Sequence, residues 1–229
     1  MDNQTIFNQA LRYYKLGWSV IPVGRDKKPL QTWKQYQAKR ATPEEIERWT
    51  NGFPNMNIGV VTGPISGIVV IDVEKGGDIS RFPKTAMAKT GGGGWHLYYR
   101  YPINFTKPIM NSTRKLAPLT DVRATGGYCV LPPSTHASGN SYEWINAPED
   151  GLADIPTDLL EKLTAPDSNP ETNNGDVLEG TRNNDATKYI GRILHHLPLD
   201  LWDVIGWMAL KQWNTTKANP PLPESELRA

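Results

Sequence analysis

Two carboxylates, Asp72 and Glu74, close an apolar run that begins at Gly67. The run reads Gly-Ile-Val-Val-Ile-Asp-Val-Glu and is typical of a buried strand, on which alternate side chains share a face. Asp72 and Glu74 should then point the same way, about 7 Å apart, with Ile71 and Val73 packed behind them. Two neighbouring acids repel each other unless one is protonated or a divalent metal lies between them, and oxygen ligands suit Mg2+ or Mn2+. The alternative is a strand end that enters a solvated loop.

A run of four glycines precedes a second strand-like segment. The segment Lys89-Thr-Gly-Gly-Gly-Gly-Trp-His96 should expose backbone amides and let a ligand approach the main chain closely. It is not a Walker phosphate loop, because no Gly-Lys-Ser or Gly-Lys-Thr follows it. On the predicted strand of residues 95–101, His96, Tyr98 and Arg100 share one face, so His96 is placed to donate to a phosphate. A hydrogen-bonded structural histidine is the alternative.

A third short strand is predicted at Thr120-Asp-Val-Arg123. Asp121 and Arg123 should share one face of it, since side chains two residues apart point the same way. This segment therefore adds a third carboxylate, paired with a cation.

Two basic pairs lie in loop-like segments, Lys27 with Lys28 and Arg114 with Lys115. Lysine and arginine in such loops hold a nucleic-acid backbone without reading its sequence. The alternative is an ordinary solvated loop. The formal net charge is only +1, so any contact with nucleic acid must come from a local basic face of this kind.

The composition is that of a globular protein with one good-sized core and a small appendage. The chain has 229 residues, of which 38% are hydrophobic and 21% charged. Its single cysteine, Cys129, excludes an intrachain disulfide and a multi-cysteine zinc site, and we predict that it is a core residue. Neither a membrane-length apolar run nor a secretory signal pattern is found, so we predict a cytoplasmic protein that does not contact a membrane.

The first part of the chain alternates predicted helices and strands. Helices are predicted at residues 5–16, after the capping residue Thr42 and at residues 157–163, and strands at 18–23, 57–63, 67–74, 95–101, 120–123 and 128–131. Pro64-Ile-Ser66 is short enough to join two of these strands as an antiparallel hairpin.

A polar segment separates this part from a helical one. Residues 164–176 are mostly Pro, Asn, Asp and Ser, which is typical of a linker. We therefore predict a first domain at 1–164, a linker at 165–179 and a helical module at 180–229, with helices at 184–197 and 199–213. His195 and His196 adjoin at a helix end and point in different directions, which argues against a metal pair. The ending of the sequence predicts that the natural protein continues past Ala229.

The order of these segments resembles the bifunctional primase-polymerase domain of the archaeo-eukaryotic primase superfamily, as found in phage and plasmid replication proteins. The acid-bearing strand, Gly-Gly-Trp-His96 and Thr120-Asp-Val-Arg123 carry the resemblance. It covers roughly residues 8–163 and includes Asn57-Ile-Gly59, Gly127-Tyr128 and Pro133-Ser134. The helical module resembles the primase C-terminal domain that often precedes a helicase.

The resemblance implies an α+β fold, with a mixed or antiparallel sheet and packed helices, followed by a small all-α module. It implies that Asp72, Glu74 and Asp121 bind Mg2+ or Mn2+ and are catalytic, although Glu74 replaces the aspartate that many relatives carry. The predicted nucleotide-binding residues are His96, Thr90, Gly93, Gly94, Arg123, Ser134 and His136. The predicted DNA-binding residues are Lys27, Lys28, Arg114 and Lys115.

The implied function is template-directed nucleotidyl transfer, with DNA primase and DNA polymerase activity and a two-metal mechanism. Its partners would be a single-stranded DNA template, a primer, deoxyribo- or ribonucleoside triphosphates, and a helicase domain or protein downstream. Two alternatives are a metal-dependent phosphodiesterase or nuclease that uses the same acids, and a non-catalytic DNA-binding replication module.

Overall fold

The structure is a computed structural model that describes residues 2–102, 107–165, 182–194 and 201–227. The chain forms two compact units, Met1–Ala165 and Pro166–Ala229. Most of the predicted linker, together with His195 and His196, lies outside the described residues. Among the residues that are described, no helix is long and apolar enough to cross a membrane.

The described residues contain six α-helices and ten strands. The helices are α1 (Asn3–Lys15), α2 (Pro43–Gly52), α3 (Thr157–Thr164), α4 (Arg182–Leu194), α5 (Trp207–Lys217) and α6 (Glu224–Leu227). The strands are β1 (Ser19–Val23), β2 (Asn57–Val61), β3 (Ile68–Val73), β4 (Ala86–Lys89), β5 (Trp95–Arg100), β6 (Ser112–Thr113), β7 (Thr120–Arg123), β8 (Tyr128–Leu131), β9 (Glu143–Asn146) and β10 (Ala153–Asp154).

The first two helices begin and end at residues that satisfy their free backbone groups. Asp2 accepts a hydrogen bond from the Thr5 amide at the start of α1, and Gly17, with φ of +89°, follows its end. In α2, Thr42 and Glu45 form the predicted capping box, in which each side chain bonds the other residue's amide. Both helix predictions are confirmed.

The strands form two sheets. One has three strands in the order β1-β2-β8, all antiparallel. The other has the order β6-β7-β3-β5-β4-β9, also antiparallel, with the short β10 added in parallel to β5. The predicted α+β class with a mixed or antiparallel sheet is confirmed.

The predicted hairpin between residues 57–63 and 67–74 is wrong. β2 and β3 belong to different sheets and share only a bridge between Gly63 and Ile68. Instead, Thr62 donates from its amide to the Gly127 carbonyl and from its hydroxyl to the Ala124 carbonyl. The chain therefore leaves β2 beside the segment that connects β7 in one sheet to β8 in the other. β2 is buried throughout and β3 is buried except at Asp72, and apolar pattern alone cannot assign such strands to one sheet or two.

Two hydrophobic cores lie on opposite faces of β3. The first contains Ile68 and Val70 with residues of α1, α2 and the three-stranded sheet. The second contains Val69, Ile71 and Val73 with residues of α3. Since side chains alternate along a strand, Asp72 lies on the face of the first core, and Ile71 and Val73 pack behind it as predicted.

The second unit is small and helical. A π-helix at Trp202–Gly206 leads directly into α5. The unit's core is built from residues of α4, α5 and the segment after α5, and Tyr189 stacks on Trp213 with ring centroids 5.9 Å apart. Helical structure is present in both predicted segments: α4 in the first, and the π-helix followed by α5 in the second, with α5 ending at Lys217.

Candidate active site

A cavity of about 350 Å³ opens beside the end of β3. Its charged lining residues are Asp72, Lys27, His96 and Arg123, and the predicted Thr90 also lines it. The structure thus brings together residues from the acid-bearing strand, the glycine segment, the third strand and the first basic loop.

Strand register explains why three of the predicted residues meet. In the antiparallel pairing, Asp72 on β3 lies directly opposite His96 on β5 and directly opposite Asp121 on β7. The three side chains therefore form a row across the sheet, on the face that looks toward the cavity. Arg123 lies two residues further along β7, on the same face.

Asp72 lies between two cations. Its Oδ1 is 3.4 Å from His96 Nε2, and its Oδ2 is 3.7 Å from Arg123 Nη2. Burial opposes the charged form, but the hydrogen bond and charge of His96, helped by the charges of Arg123 and Lys27, hold the pKa of Asp72 below its usual range. Asp72 is therefore an anion at neutral pH.

His96 is buried and has a partner for each ring nitrogen. Nε2 faces Asp72, and Nδ1 lies 3.3 Å from the hydroxyl of Tyr98, which is itself fully buried against Trp18. Burial favours the neutral ring, but the hydrogen bond and charge of Asp72 raise the pKa of His96 above its usual value. To contact a phosphate, as predicted from sequence, the imidazolium would have to share or leave its bond to Asp72.

The two remaining predicted metal ligands are placed differently. Asp121 is nearly buried and accepts a hydrogen bond from Arg123 at 3.0 Å. Glu74 is exposed beyond the end of β3, where its amide bonds the Leu119 carbonyl and its carbonyl accepts from Gly77 in a turn. Asp72 thus has Asp121 as its direct cross-strand neighbour, and Glu74 lies one residue beyond the end of β3.

The glycine segment forms a tight turn between β4 and β5. The amides of Gly93 and Gly94 donate to the carbonyl and the hydroxyl of Thr90, so they do not point at a ligand as expected from sequence. A Cβ on Gly94 would lie 2.3 Å from the Val73 carbonyl oxygen, which only glycine permits. The segment therefore packs directly on the end of β3.

Two other predicted nucleotide contacts do not line the cavity. Ser134 is buried and accepts a hydrogen bond from the Ile58 amide. His136 packs against Gly91 and is held by Ser138, whose hydroxyl lies 2.9 Å from His136 Nδ1. In the structure, Ser134 supports β2 and His136 supports the glycine turn.

The four predicted DNA-binding residues do not lie together in the structure. Lys27 lines the cavity, whereas Lys28 and Arg114 are exposed and do not line it. Lys115 Nζ donates to the carbonyls of Leu163 and Ala165, at the end of α3. Lys115 therefore helps to fix the last helix of the first unit.

Sequence reasoning missed three polar residues that line the cavity, Asn111, Tyr128 and Tyr142. Asn111 Oδ1 accepts from the Ala124 amide at 2.7 Å, and the Tyr128 hydroxyl donates to the Lys27 carbonyl at 3.1 Å. Tyr128 directly follows two glycines, which was the available signal. Nothing local marks Asn111 or Tyr142, because the fold brings them to the cavity from distant segments.

The donor set at this site suits a hard divalent cation. Asp72 and Asp121 present carboxylate oxygens side by side, and these oxygens already hold the cationic Arg123. Within the described residues, no three His, Cys, Asp or Glu side chains are gathered as a ready metal site. The pair thus fits a divalent metal, and any further oxygen ligands would have to join it.

Comparison with known proteins points to one family. Residues 10–158 match the family model described as "Bifunctional DNA primase/polymerase, N-terminal". This match covers more than half of the chain and includes the lining residues from Lys27 to Tyr142. No curated protein matches the sequence.

Proposed function

The chain belongs to the bifunctional DNA primase/polymerase family, and on that premise we propose that its cavity carries out template-directed nucleotidyl transfer in DNA replication. One observation carries the proposal: within the family region, a carboxylate pair adjoins a cavity lined by the cations Lys27, His96 and Arg123. A nucleoside triphosphate needs positive groups for its phosphates and carboxylates for its metal. The resemblance to phage and plasmid proteins suggests replication of such a genome as the setting.

We assign the triphosphate to the cationic wall of the cavity. Lys27 and Arg123 supply side-chain charges at the cavity lining, and His96 supplies a buried imidazolium behind them. Tyr128 and Tyr142 present aromatic rings to the same space, and such rings suit the sugar or the base. Thr90 is placed to bond the nucleotide through its hydroxyl if the turn opens.

The carboxylates would hold the metal. Asp72 and Asp121 form the pair, and we retain Glu74 as a third ligand, since it is exposed one residue beyond the end of β3. Bound Mg2+ or Mn2+ would lower the pKa of the primer 3'-hydroxyl and neutralise the leaving pyrophosphate. His96 keeps Asp72 ionised and oriented, which preserves an oxygen ligand at neutral pH.

Lys28 and Arg114 are our candidates for the template and primer backbone, because both are exposed and neither lines the cavity. Lys115 is a weaker candidate, since its ammonium bonds two carbonyls at the end of α3. Contacts of this kind position DNA without reading its sequence.

The test is an incorporation assay with the full chain. The protein is incubated with Mg2+ or Mn2+, labelled nucleotides and either primed or unprimed single-stranded DNA. We expect extension of the primed template and, if the protein initiates chains, new products on the unprimed one. DNA shortened in the absence of nucleotides would instead establish a nuclease, and DNA binding without either product would establish a non-catalytic replication module.

A further inference from the structure

Arg123 is the residue that joins the two carboxylates of the site. Its Nη2 lies 3.0 Å from Asp121 Oδ2 and 3.7 Å from Asp72 Oδ2. Asp72 and Asp121 face each other directly across β3 and β7. Like charges in that position repel each other, so the guanidinium offsets a repulsion that the sheet register creates.

The same guanidinium also borders the cavity. Arg123 is about one-third exposed and lines the space next to Lys27 and Tyr128. Its long side chain extends back along β7 from a position opposite Val70 to reach the acids. A rotation about its side-chain bonds would exchange the carboxylates for an anion in the cavity without moving the strand.

We propose that Arg123 is the internal counter-cation of the Asp72–Asp121 pair: it holds the two carboxylates while no metal is bound, yields them to a divalent cation, and then binds the triphosphate. This inference rests on the proposed function, which supplies the metal and the triphosphate. Metal and arginine compete for the same oxygens, whereas arginine and triphosphate attract each other. Metal binding and nucleotide binding therefore favour one another through a single side chain.

The competition is tested by titrating the protein with Mn2+ in the absence of nucleotide. Electron paramagnetic resonance measures the concentration of the free ion at each step. Arg123→Gln removes the competing charge, and we expect it to bind Mn2+ about tenfold more tightly than the wild type. Arg123→Lys keeps a point charge that cannot bond two oxygens as a guanidinium does. Its Mn2+ affinity should therefore lie between those of the wild type and Arg123→Gln. Arg100→Gln is the matched control, because Arg100 pairs with the exposed Asp154 on the same sheet and does not line the cavity.

A second measurement follows thermal unfolding of the same variants. With a chelator present, Arg123→Gln should unfold at a lower temperature than the wild type and Arg100→Gln, because Asp121 then loses the guanidinium that bonds it and Asp72 keeps only His96 as a close counter-cation. Saturating Mn2+ should close most of that gap. A variant that folds only with Mn2+ supports the inference in the same way, and Arg123→Lys supplies the affinity comparison if Arg123→Gln does not fold at all.

The third measurement is the coupling between ligands. A nucleoside triphosphate should tighten Mn2+ binding by a larger factor in the wild type than in Arg123→Gln, since only the wild type has a guanidinium to be drawn away. Equal Mn2+ affinities in all four proteins, with incorporation intact in the wild type, would overturn the role of Arg123 and leave the proposed function standing. Absence of Mn2+ binding in every protein, together with absence of incorporation, would overturn both.

Discussion

The proposed chemistry depends most on two residues, Asp72 and Asp121. We expect Asp72→Asn and Asp121→Asn each to reduce nucleotide incorporation on the order of a hundredfold or more, since each removes a charged oxygen ligand while keeping the side-chain shape. Primer extension measures the effect, and circular dichroism checks the fold. Asp154→Asn, which removes an exposed carboxylate paired with Arg100 outside the cavity, should extend primers at the wild-type rate.

Glu74 provides an internal comparison for that experiment. If it joins the metal as we propose, Glu74→Gln will lose activity with the two aspartate variants. Full activity in Glu74→Gln alone would leave Asp72 and Asp121 as the ligand pair, and full activity in Asp72→Asn would remove the metal assignment altogether.

Single residues were the level at which the sequence was most informative. Apolar runs correctly placed Asp72, His96 and Asp121 near strand ends, because burial imposes a pattern that can be read locally. Their mutual contact depends on register between strands that are far apart in sequence, and no local pattern sets it. The predicted strand also runs one residue too far, since β3 ends at Val73 and a turn begins at Glu74.

Among the connecting elements, the glycine turn that packs on the end of β3 is the most sharply constrained. Gly94→Ala would place a methyl group 2.3 Å from the Val73 carbonyl oxygen. We expect it to lower the free energy of unfolding by about 1–3 kcal/mol and to reduce incorporation, because the end of β3 must shift. Gly52→Ala in α2, where no atom lies within 4 Å of the new methyl, should be neutral or stabilising by up to about 1 kcal/mol. Urea unfolding measures the change in free energy of unfolding in both variants. Equal changes would contradict the packing argument.

The loop that carries Lys27 is tied to the start of β8 by a tyrosine hydroxyl, in addition to its own backbone hydrogen bonds. Lys27 has φ of +67°, and its carbonyl accepts from Tyr128. We expect Tyr128→Phe to raise KM for the nucleotide about fivefold with little change in kcat, because the loop loses about 1 kcal/mol of support and Lys27 is less often in place. Tyr99→Phe removes an equivalent bond, from a hydroxyl to the Pro83 carbonyl, outside the cavity. It should leave KM unchanged, and a similar rise in both variants would refute the role of the loop.

An ion pair links α1 to the short helix at Pro148–Asp150. Arg12 donates from Nε and Nη2, one edge of its guanidinium, to the two carboxylate oxygens of Glu149, at 2.5 and 2.6 Å, and these hydrogen bonds hold the pKa of Glu149 below its usual range. A lowered pKa stabilises the fold above the unfolded value of about 4.3, and this contribution is lost as the pH falls through the folded value. Glu149→Gln should therefore cost about 0.5–1 kcal/mol at pH 7 and progressively less below pH 4.5. Denaturant titrations at several pH values measure the difference in free energy of unfolding between the wild type and Glu149→Gln. A difference that grew on acidification would contradict the lowered pKa.

At the scale of the whole molecule, the first unit contains every residue assigned to chemistry. A chain that ends at Ala165 keeps α3, with Leu159 and Leu163 in the second core, and keeps both carbonyls that Lys115 bonds. We expect it to fold and to extend a primer within about twofold of the full chain, and to lose much more of any primer synthesis. A chain that ends at Pro156 lacks α3 and should be destabilised by several kcal/mol, since two buried leucines are removed.

Measuring extension and initiation in the full chain and in the chain ending at Ala165 tests this division. An equal loss of both activities, or no loss, would show that the helical unit is not a priming element.

The crossing of the chain between its two sheets has a consequence for synthesis on the ribosome. One edge of β2 pairs with β1, which precedes it, but the other pairs with β8, which follows only after β3 to β7 have been made. At about 5–20 residues per second, the apolar edge Asn57–Val61 waits several seconds for its partner. Unpaired edges of this kind attract other strands. This edge of the nascent protein therefore stays open to aggregation until Tyr128–Leu131 emerges from the exit tunnel, and slower translation of the stretch between these strands would lengthen that exposure.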